Sequence, residues 1–255
     1  MSKLTSANAL GALGVLIAVC AIVLILAEKG PVAGIEVPGI SPPSAETLAP
    51  NWEKIVQWPG EEAEGTHAPD PDRLTTVIVL DDSGSMSAEM ADAKQAVLAA
   101  AQQLPEDGRL AVLALNSGMV LQPMSVPEAQ SALGEALARV SADGSTPLGA
   151  RTLEATQILS AEAAMQRGFG TYRLVITTDG QASDEDALRE AIVQILSSTP
   201  IEVATIGLGI GEGHLLNMPG QVRYVSIASV DQLAAALSEA TAEQTTFDPI
   251  MQFSE

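Results

Sequence analysis

Residues 77–87, VIVLDDSGSMS, contain the pattern that is most informative about the fold of this chain. The first four residues, 77–80, form a continuous β-branched and aliphatic run, which is typical of a strand buried on both faces. Asp81, Ser83 and Ser85 follow at alternating positions, and the sequence then becomes Ala-rich and helical. A hard cation such as Mg²⁺ takes oxygen ligands and keeps several waters, so one or two carboxylates with two or three hydroxyls suit it. The stretch therefore predicts a strand, a metal-binding loop and a helix.

Two later stretches complete a recognisable set. Asp81–Met86 is followed along the chain by Gly144–Gly149, which contains a threonine, and by Leu174–Gly180, an apolar run that ends in an aspartate. In this order the stretches resemble the von Willebrand factor A (vWA) domain family, where they form a metal-ion-dependent adhesion site (MIDAS). Carried over residue by residue, the resemblance implies a metal site made of Asp81, Ser83, Ser85, Thr146 and Asp179.

The resemblance also implies a function. In the family the two serines and, depending on the state, the threonine bind the metal directly, while the aspartates usually act through water. Uncharged hydroxyls leave the ion, Mg²⁺ or else Mn²⁺ or Ca²⁺, underneutralised and with an open position. An Asp or Glu carboxylate from a protein partner fills that position. We therefore expect metal-dependent protein–protein interaction and not catalysis.

The pattern of strands and helices predicts an α/β fold with a doubly wound, mainly parallel six-stranded sheet and helices on both faces. The predicted strands are Thr75–Leu80, Arg109–Leu115, Tyr172–Thr177, Ile201–Leu208 and Val222–Ser226. The predicted helices are Ala88–Gln103, Pro127–Val140, Leu148–Arg167, Glu185–Ser198 and Val230–Glu243. Gly118–Met124 follows the second strand so closely that it predicts a hairpin and an antiparallel edge strand. The resemblance implies strand order 3-2-1-4-5-6, with the site where the order reverses.

The N-terminal part of the chain predicts a membrane anchor. After a short tail, residues 1–8, the stretch Ala9–Ala27 has no charged or strongly polar residue. At about 1.5 Å per residue this run nearly spans a ~30 Å hydrocarbon core as a single transmembrane helix. A cleaved signal peptide is the alternative, but its apolar core is usually about 7–15 residues and no Ala-x-Ala site follows here. Lys3 and the terminal amine give the N-terminal side of this stretch more positive charge than the Glu28/Lys29 pair gives its C-terminal side. The positive-inside rule therefore places the N-terminus in the cytoplasm.

These observations predict a single-pass inner (cytoplasmic) membrane protein with its vWA domain on the periplasmic side. The resemblance extends to small membrane-anchored vWA proteins of bacteria, which work with AAA+ ATPases of the MoxR type or in envelope assembly. The predicted topology would preclude direct contact with a cytoplasmic ATPase, so these two partner classes compete.

A tether is predicted between the anchor and the domain. Residues 28–72 are rich in proline and acidic residues, a composition typical of extended, poorly packed segments. Both tryptophans of the chain, Trp52 and Trp58, interrupt this character. We favour a short amphipathic piece that packs back on the domain or lies at the membrane interface; a partner-docking segment is the alternative. The vWA domain is predicted over residues 73–245 and a C-terminal tail over residues 246–255.

The overall composition excludes some classes of function. The formal net charge of −20 argues against nucleic-acid binding, which requires a basic surface, and against electrostatic docking to anionic lipid. The single cysteine, Cys20, cannot form an intramolecular disulfide. Neither His67 nor His214 is placed by sequence near Ser85, so a Ser/His/Asp hydrolase has no support.

Two alternatives to partner binding stay open. A metal-dependent hydrolase or transferase would use Asp81 or Ser85 as a nucleophile and would need a base and a cationic stabiliser nearby. Arg151 and Lys94 are the basic residues that the sequence offers for that role. In the other alternative, the metal only stabilises the fold and a partner docks on the tether.

Overall fold

The site is built on a six-stranded sheet. A computed structural model describes residues 49–60, 68–211 and 213–242 of the 255-residue chain. Its strands are β1 (Leu74–Leu80), β2 (Arg109–Ala114), β3 (Gly118–Ser125), β4 (Thr171–Thr178), β5 (Glu202–Leu208) and β6 (Arg223–Ile227). Its helices are α1 (Trp52–Gln57), α2 (Met90–Ala101), α3 (Val126–Ala138), α4 (Leu148–Met165), α5 (Glu185–Ser198) and α6 (Leu233–Thr241).

The strand order is β3-β2-β1-β4-β5-β6, as expected. Every pair is parallel except β2–β3, which is antiparallel and leaves β3 at the edge. Pro123 lies in this edge strand, where a missing N–H interrupts no ladder on the outer side. The prediction of a mainly parallel sheet with one antiparallel edge strand is confirmed.

Strand β1 lies at the centre of the sheet, and all of its residues are buried. Its side chains alternate between two apolar clusters: Ile78 and Leu80 pack on one face, and Val77 and Val79 on the other. Helices α2, α3 and α6 cover the first face, while α4 and α5 cover the second. This arrangement explains why β1 is a continuous apolar run, since neither face of a doubly covered parallel strand meets water.

The helix boundaries differ from the sequence expectation at the first helix. A 3-10 turn at Gly84–Ser87 separates β1 from α2, so the α-helix begins at Met90 and not at Ala88. Ser87, which resembles a helix cap in sequence, instead donates its hydroxyl to the Gly84 carbonyl at 2.5 Å. The last predicted helix likewise begins with a 3-10 turn, Val230–Gln232, before α6.

Residues 49–60 come from the predicted tether, and they include the short helix α1. Asn51 caps this helix by accepting a hydrogen bond from Lys54 N, and Trp58 follows its end. No helix within the described residues is both long enough and apolar enough to cross a membrane. The predicted anchor, Ala9–Ala27, lies outside the described residues, as do Cys20, His67 and the tail at residues 246–255.

Candidate metal site

Three polar side chains meet where β1 and β4 end. The hydroxyl oxygens of Ser83 and Ser85 are 3.0 Å apart, and Ser85 donates to Asp179 Oδ1 at 2.9 Å. Ser83 is buried, Ser85 is exposed and Asp179 is half-buried, so this row of oxygens leads from the core to the surface.

Asp81 lies beneath this row and is fully buried, with 0% of its surface exposed. Its carboxylate accepts hydrogen bonds from Ser83 N at 2.9 Å and from Asp179 N at 3.3 Å. Burial raises the pKa of Asp81, hydrogen bonds from Ser83 oppose that increase, and the charge of Asp179 adds to it. Asp81 thus joins the β1 loop to the β4 loop and carries a charge that its surroundings disfavour.

Backbone hydrogen bonds hold the threonine loop between the other two. Gly84 N donates to Gly144 O at 3.1 Å, and Ser183 N donates to Thr146 O at 2.9 Å. The first bond joins this loop to the β1 loop, and the second joins it to the segment after β4. Thr146 is half-buried at this junction. The structure thus brings the loops of all five predicted site residues to one end of the sheet.

Asp82 positions this site, although its role could not be read from the sequence. Asp82 is 0% exposed, and its carboxylate accepts from Asn116 N at 2.6 Å, Ser117 N at 2.9 Å and the Ser117 hydroxyl at 2.6 Å. Asn116 in turn donates its side-chain amide to Ser145 O at 2.8 Å. The buried carboxylate therefore links the end of β1 to the threonine loop through the β2–β3 turn.

Asp184 closes the other side of the threonine loop. In sequence, this aspartate most simply opens its own helix, α5. In the structure its two oxygens accept from Gly149 N and Ala150 N, both at 2.9 Å, in the first turn of α4. A carboxylate satisfies free N–H groups at a helix N-terminus and interacts favourably with the helix dipole. Asp184 thereby fixes the start of α4 directly after Thr146.

His214 contacts the aspartate loop from the β5–β6 connection. Its Nδ1 accepts from Leu216 N at 3.2 Å, so its Nε2 carries the proton that is donated to Gly180 O at 3.2 Å. Burial lowers the pKa of His214, although the bond to Gly180 and the charge of Glu185 oppose this. The neutral ring thus holds the residue that follows Asp179, a contact between segments that are distant in sequence.

An open cavity of about 390 Å³ adjoins the exposed end of the site. Ser85, Asp179 and Glu89 line one wall. The remaining lining residues, from the ends of β5 and β6, are Leu208, Gly209, Ala228, Ser229 and Val230. A side chain from a partner could therefore reach Ser85 and Asp179 from solvent.

The oxygens at this edge fit a small divalent cation. In an octahedron with metal–oxygen distances of about 2.0–2.1 Å, neighbouring oxygens are about 2.9 Å apart. The oxygens around Ser85 are hydrogen-bonded at 3.0 Å and 2.9 Å, so a cation could replace the hydroxyl protons between them with little movement of the oxygens. Within the described residues, no Lys, Arg or His forms an ion pair with Asp81 or Asp179. The negative charge of the site is thus left for a bound cation to neutralise.

Hydroxyl oxygens are essential to any such site. Among the residues that the structure describes, no three His, Cys, Asp or Glu side chains lie close enough together to hold a metal ion by themselves. The predicted set instead combines Asp81 and Asp179 with Ser83, Ser85 and Thr146. Their assignment as metal ligands stays a prediction.

Comparison with known proteins supports a vWA domain in this chain. Residues 76–181 match the family model of the von Willebrand factor type A domain. The matched range contains all five predicted metal-site residues. The family match and the structural neighbours support the assignment of a vWA domain, whereas a search of curated proteins gives no match.

Solved structures with a similar fold include proteins of different size. A von Willebrand factor type A protein from Catenulispora acidiphila is 23% identical, with a TM-score of 0.54, over 67% of this chain and 42% of that chain. The pilus adhesin SpaC from Lactobacillus rhamnosus GG is 13% identical, with a TM-score of 0.52, over 69% and 30%. The SpRpn10 VWA domain is 16% identical, with a TM-score of 0.50, over 65% and 93%. This chain therefore spans less than half the length of the first two.

The two basic residues considered for catalysis are engaged elsewhere. Arg151 donates to Leu115 O at 2.7 Å and pairs with Glu154, and Lys94 donates to Val140 O at 2.5 Å. Neither contact involves the loops that carry the vWA motifs.

Proposed function

We propose that the vWA domain binds a divalent cation, Mg²⁺ or else Mn²⁺ or Ca²⁺, and holds a protein partner through that ion. Asp81, Ser83, Ser85, Thr146 and Asp179 provide or orient the oxygens around the cation. An Asp or Glu carboxylate of the partner completes the coordination. The protein acts in interaction and not in catalysis.

One observation carries this proposal. The Ser83 and Ser85 hydroxyl oxygens are 3.0 Å apart, a separation that suits two neighbouring ligands of one cation, and the carboxylates of Asp81 and Asp179 bond to the same serine loop. Because Ser85 is exposed and borders an open cavity, one side of the ion stays accessible to a partner. The domain is acidic overall, so the ion supplies the local attraction that a carboxylate partner needs.

The proposal includes the location of the protein. The apolar stretch Ala9–Ala27 anchors the chain in a bacterial inner membrane, with the vWA domain on the periplasmic side. On that side an envelope protein is the preferred partner class. A MoxR-type AAA+ ATPase becomes the better partner if the domain faces the cytoplasm.

The engagement of Arg151 and Lys94 weighs against the enzymatic alternative. A transferase or hydrolase at Asp81 or Ser85 needs a cationic group that meets the developing negative charge. Each residue donates one hydrogen bond to a backbone carbonyl, and Arg151 also pairs with Glu154. In the other alternative, the metal only stabilises the fold and a partner docks on the tether.

The test uses the full-length chain in detergent-solubilised membranes. Wild type is compared with a Ser83→Ala/Ser85→Ala variant, and Ser131→Ala, at an exposed position on α3, is the matched control. Mg²⁺ at 100 times its Kd should stabilise wild type by about 2.7 kcal/mol, observed as a higher Tm. The control should respond like wild type, and the double variant should not respond.

Partner recovery is measured on the same samples. A partner that wild type and control retain, that EDTA releases and that the double variant does not retain would support the proposal. Mg²⁺ stabilisation with equal recovery of partners by all three proteins would favour a structural metal. Absence of any Mg²⁺ response in a folded wild-type protein would refute the metal site.

A further inference from the structure

The end of the domain opposite the metal site carries the short helix α1. We call the end at which β1, β2, β4, β5 and β6 begin the base edge. Trp58 donates its indole N–H to the Ser160 hydroxyl at 3.2 Å and packs edge-on against Tyr172, with ring centroids 4.9 Å apart. Asn51 N donates to Ser197 O at 2.7 Å, near the C-terminal end of α5. These contacts fix α1 on the domain at the base edge.

One face of α1 leaves large apolar side chains in solvent. Trp52 is 69% exposed and Val56 is 81% exposed, and the two are one helical turn apart. Phe169, in the turn before β4, is 49% exposed. A Cβ atom on the neighbouring Gly168 would lie 3.3 Å from Pro59 Cδ, so this turn adjoins the segment that follows α1. We call Trp52, Val56 and Phe169 the base patch.

The exposed large apolar side chains of the described residues are concentrated at this edge. Leu153, early in α4, is the other strongly exposed one, and it lies toward the opposite end of the sheet. Isolated apolar side chains are normal on a protein surface, but a group of them on one side indicates a contact surface. Tryptophan and phenylalanine are suited to a lipid–water interface, where tryptophan in particular is enriched.

The charges at the two ends of the domain differ. The metal-site edge carries carboxylates without basic ion-pair partners among the described residues, including Asp81, Asp82, Asp179 and Asp184. The base edge carries both signs. Its basic residues include Lys54 and Arg167 near the patch and Arg73, Arg109, Arg173 and Arg223 near the starts of β1, β2, β4 and β6. Three of these arginines form ion pairs with acidic residues of the same edge, namely Asp70, Glu162 and Glu202. Of the two ends, the base edge is thus the less strongly repelled by the negative surface of a bilayer.

The position of α1 in the chain limits the distance between the base patch and the proposed anchor. Residues 28–48 connect the apolar stretch Ala9–Ala27 to the described part of the chain, which begins at residue 49. These 21 residues span at most about 75 Å even when fully extended, which sets an upper limit on the distance between the apolar stretch and residue 49. A surface tethered to a bilayer meets it at a higher effective concentration than an untethered one, so a small apolar contact gains occupancy.

We propose that the base patch lies in the interfacial layer of the bilayer, with the lipid surface as its partner. This inference rests on the proposed membrane anchor and adds an orientation to it. With the base edge on the lipid, the metal site at the other end of the sheet faces away from the membrane. The domain therefore presents its metal to a partner that approaches from the aqueous side, and not to a transmembrane segment beside the anchor.

The two tryptophans of the chain make this orientation measurable. The full-length protein is reconstituted into nanodiscs of phosphatidylcholine, with or without acyl chains brominated near the glycerol end. Trp58→Phe leaves Trp52 as the single tryptophan. The matched variant, Trp52→Phe, leaves Trp58, which is half-buried against Tyr172. We expect brominated lipid to quench Trp52 emission strongly and Trp58 emission much less.

The possible outcomes distinguish failure of the base-patch proposal from failure of the membrane-anchor proposal on which it rests. Weak quenching of Trp52 in protein that co-purifies with the nanodisc would overturn the base-patch inference and leave the anchor intact. Failure of the folded chain to enter nanodiscs would overturn both. If Trp58→Phe does not fold, 5-fluorotryptophan in the unaltered chain provides the same comparison. A lipid-borne nitroxide should then broaden the Trp52 ¹⁹F signal more than the Trp58 signal, and equal broadening would count against the inference.

Discussion

Gly149 and Gly134 are both helical glycines, yet we expect opposite effects when each is replaced by alanine. At Gly149, in the first turn of α4, a Cβ atom would lie 2.3 Å from Leu188 N and 2.6 Å from the Ala187 carbonyl carbon. Both are backbone atoms of α5 and cannot rotate away. At Gly134, exposed in α3, a Cβ atom would meet no heavy atom within 4 Å.

The expected magnitudes follow from these contacts. Gly149→Ala forces α4 and α5 apart, and overpacking of this kind lowers the free energy of unfolding by about 1–3 kcal/mol. The movement also weakens the bonds from Gly149 N and Ala150 N to Asp184, so we expect a value near the upper end. Gly134→Ala should raise the free energy of unfolding by about 0.5–1 kcal/mol, because alanine loses less backbone entropy in a helix.

Urea denaturation of the full-length protein, followed by circular dichroism, measures both changes. A Mg²⁺ titration of each variant adds a second measurement, since α4 begins directly after the threonine loop. We expect weaker Mg²⁺ binding for Gly149→Ala and unchanged binding for Gly134→Ala. If the two substitutions shift the urea midpoint in the same direction and by similar amounts, the close α4–α5 contact is wrong.

Three further predictions concern the groups around the metal site. Asp82→Asn replaces one buried acceptor oxygen by an NH₂ donor that faces N–H groups. It should lower the free energy of unfolding by about 2 kcal/mol more than Asp92→Asn, the control at an exposed position. Equal urea midpoints for the two variants would contradict this. Asp184→Ala removes the cap of α4 and should cost about 1 kcal/mol, with weaker Mg²⁺ binding in titrations; unchanged values for both would disprove the capping role. Burial lowers the pKa of His214 below its ordinary value of 6.5, so the stability that it contributes is complete above pH 6.5 and is lost as pH falls through the lowered pKa. His214→Gln should therefore reduce the loss of stability on acidification in urea titrations at successive pH values, and an unchanged pH dependence would exclude this origin.

Much of the fold could be predicted because its signals are local. The apolar run of β1 needs burial on both faces, which only a central strand of a covered sheet provides. The short spacing before Gly118 allows only a hairpin, and the structure has one there. The boundary of α2 was less predictable, because the 3-10 turn at Gly84–Ser87 is imposed by the loop geometry.

Some residues of the candidate site could likewise be predicted from the sequence, and others could not. Asp81, Ser83 and Ser85 are recognisable because their spacing lies within a single loop of the chain. Asp82 and His214 carried no such signal, since their roles depend on segments far away in sequence. A buried aspartate that anchors the β2–β3 turn has the same sequence appearance as one that points into solvent.

The sequence by itself determined the order of strands and helices, the position of the motif loops and the oxygen chemistry they offer. Only the tertiary structure decided which groups support those loops. Asp184 caps α4 although it stands at the start of α5, and His214 holds Gly180 across the β5–β6 connection. The tertiary structure also decided that Trp58 packs on the domain while Trp52 remains exposed. The physical reason is that periodicity and residue type reflect contacts along the chain, whereas these hydrogen bonds and packing contacts exist only after the sheet has brought distant segments together.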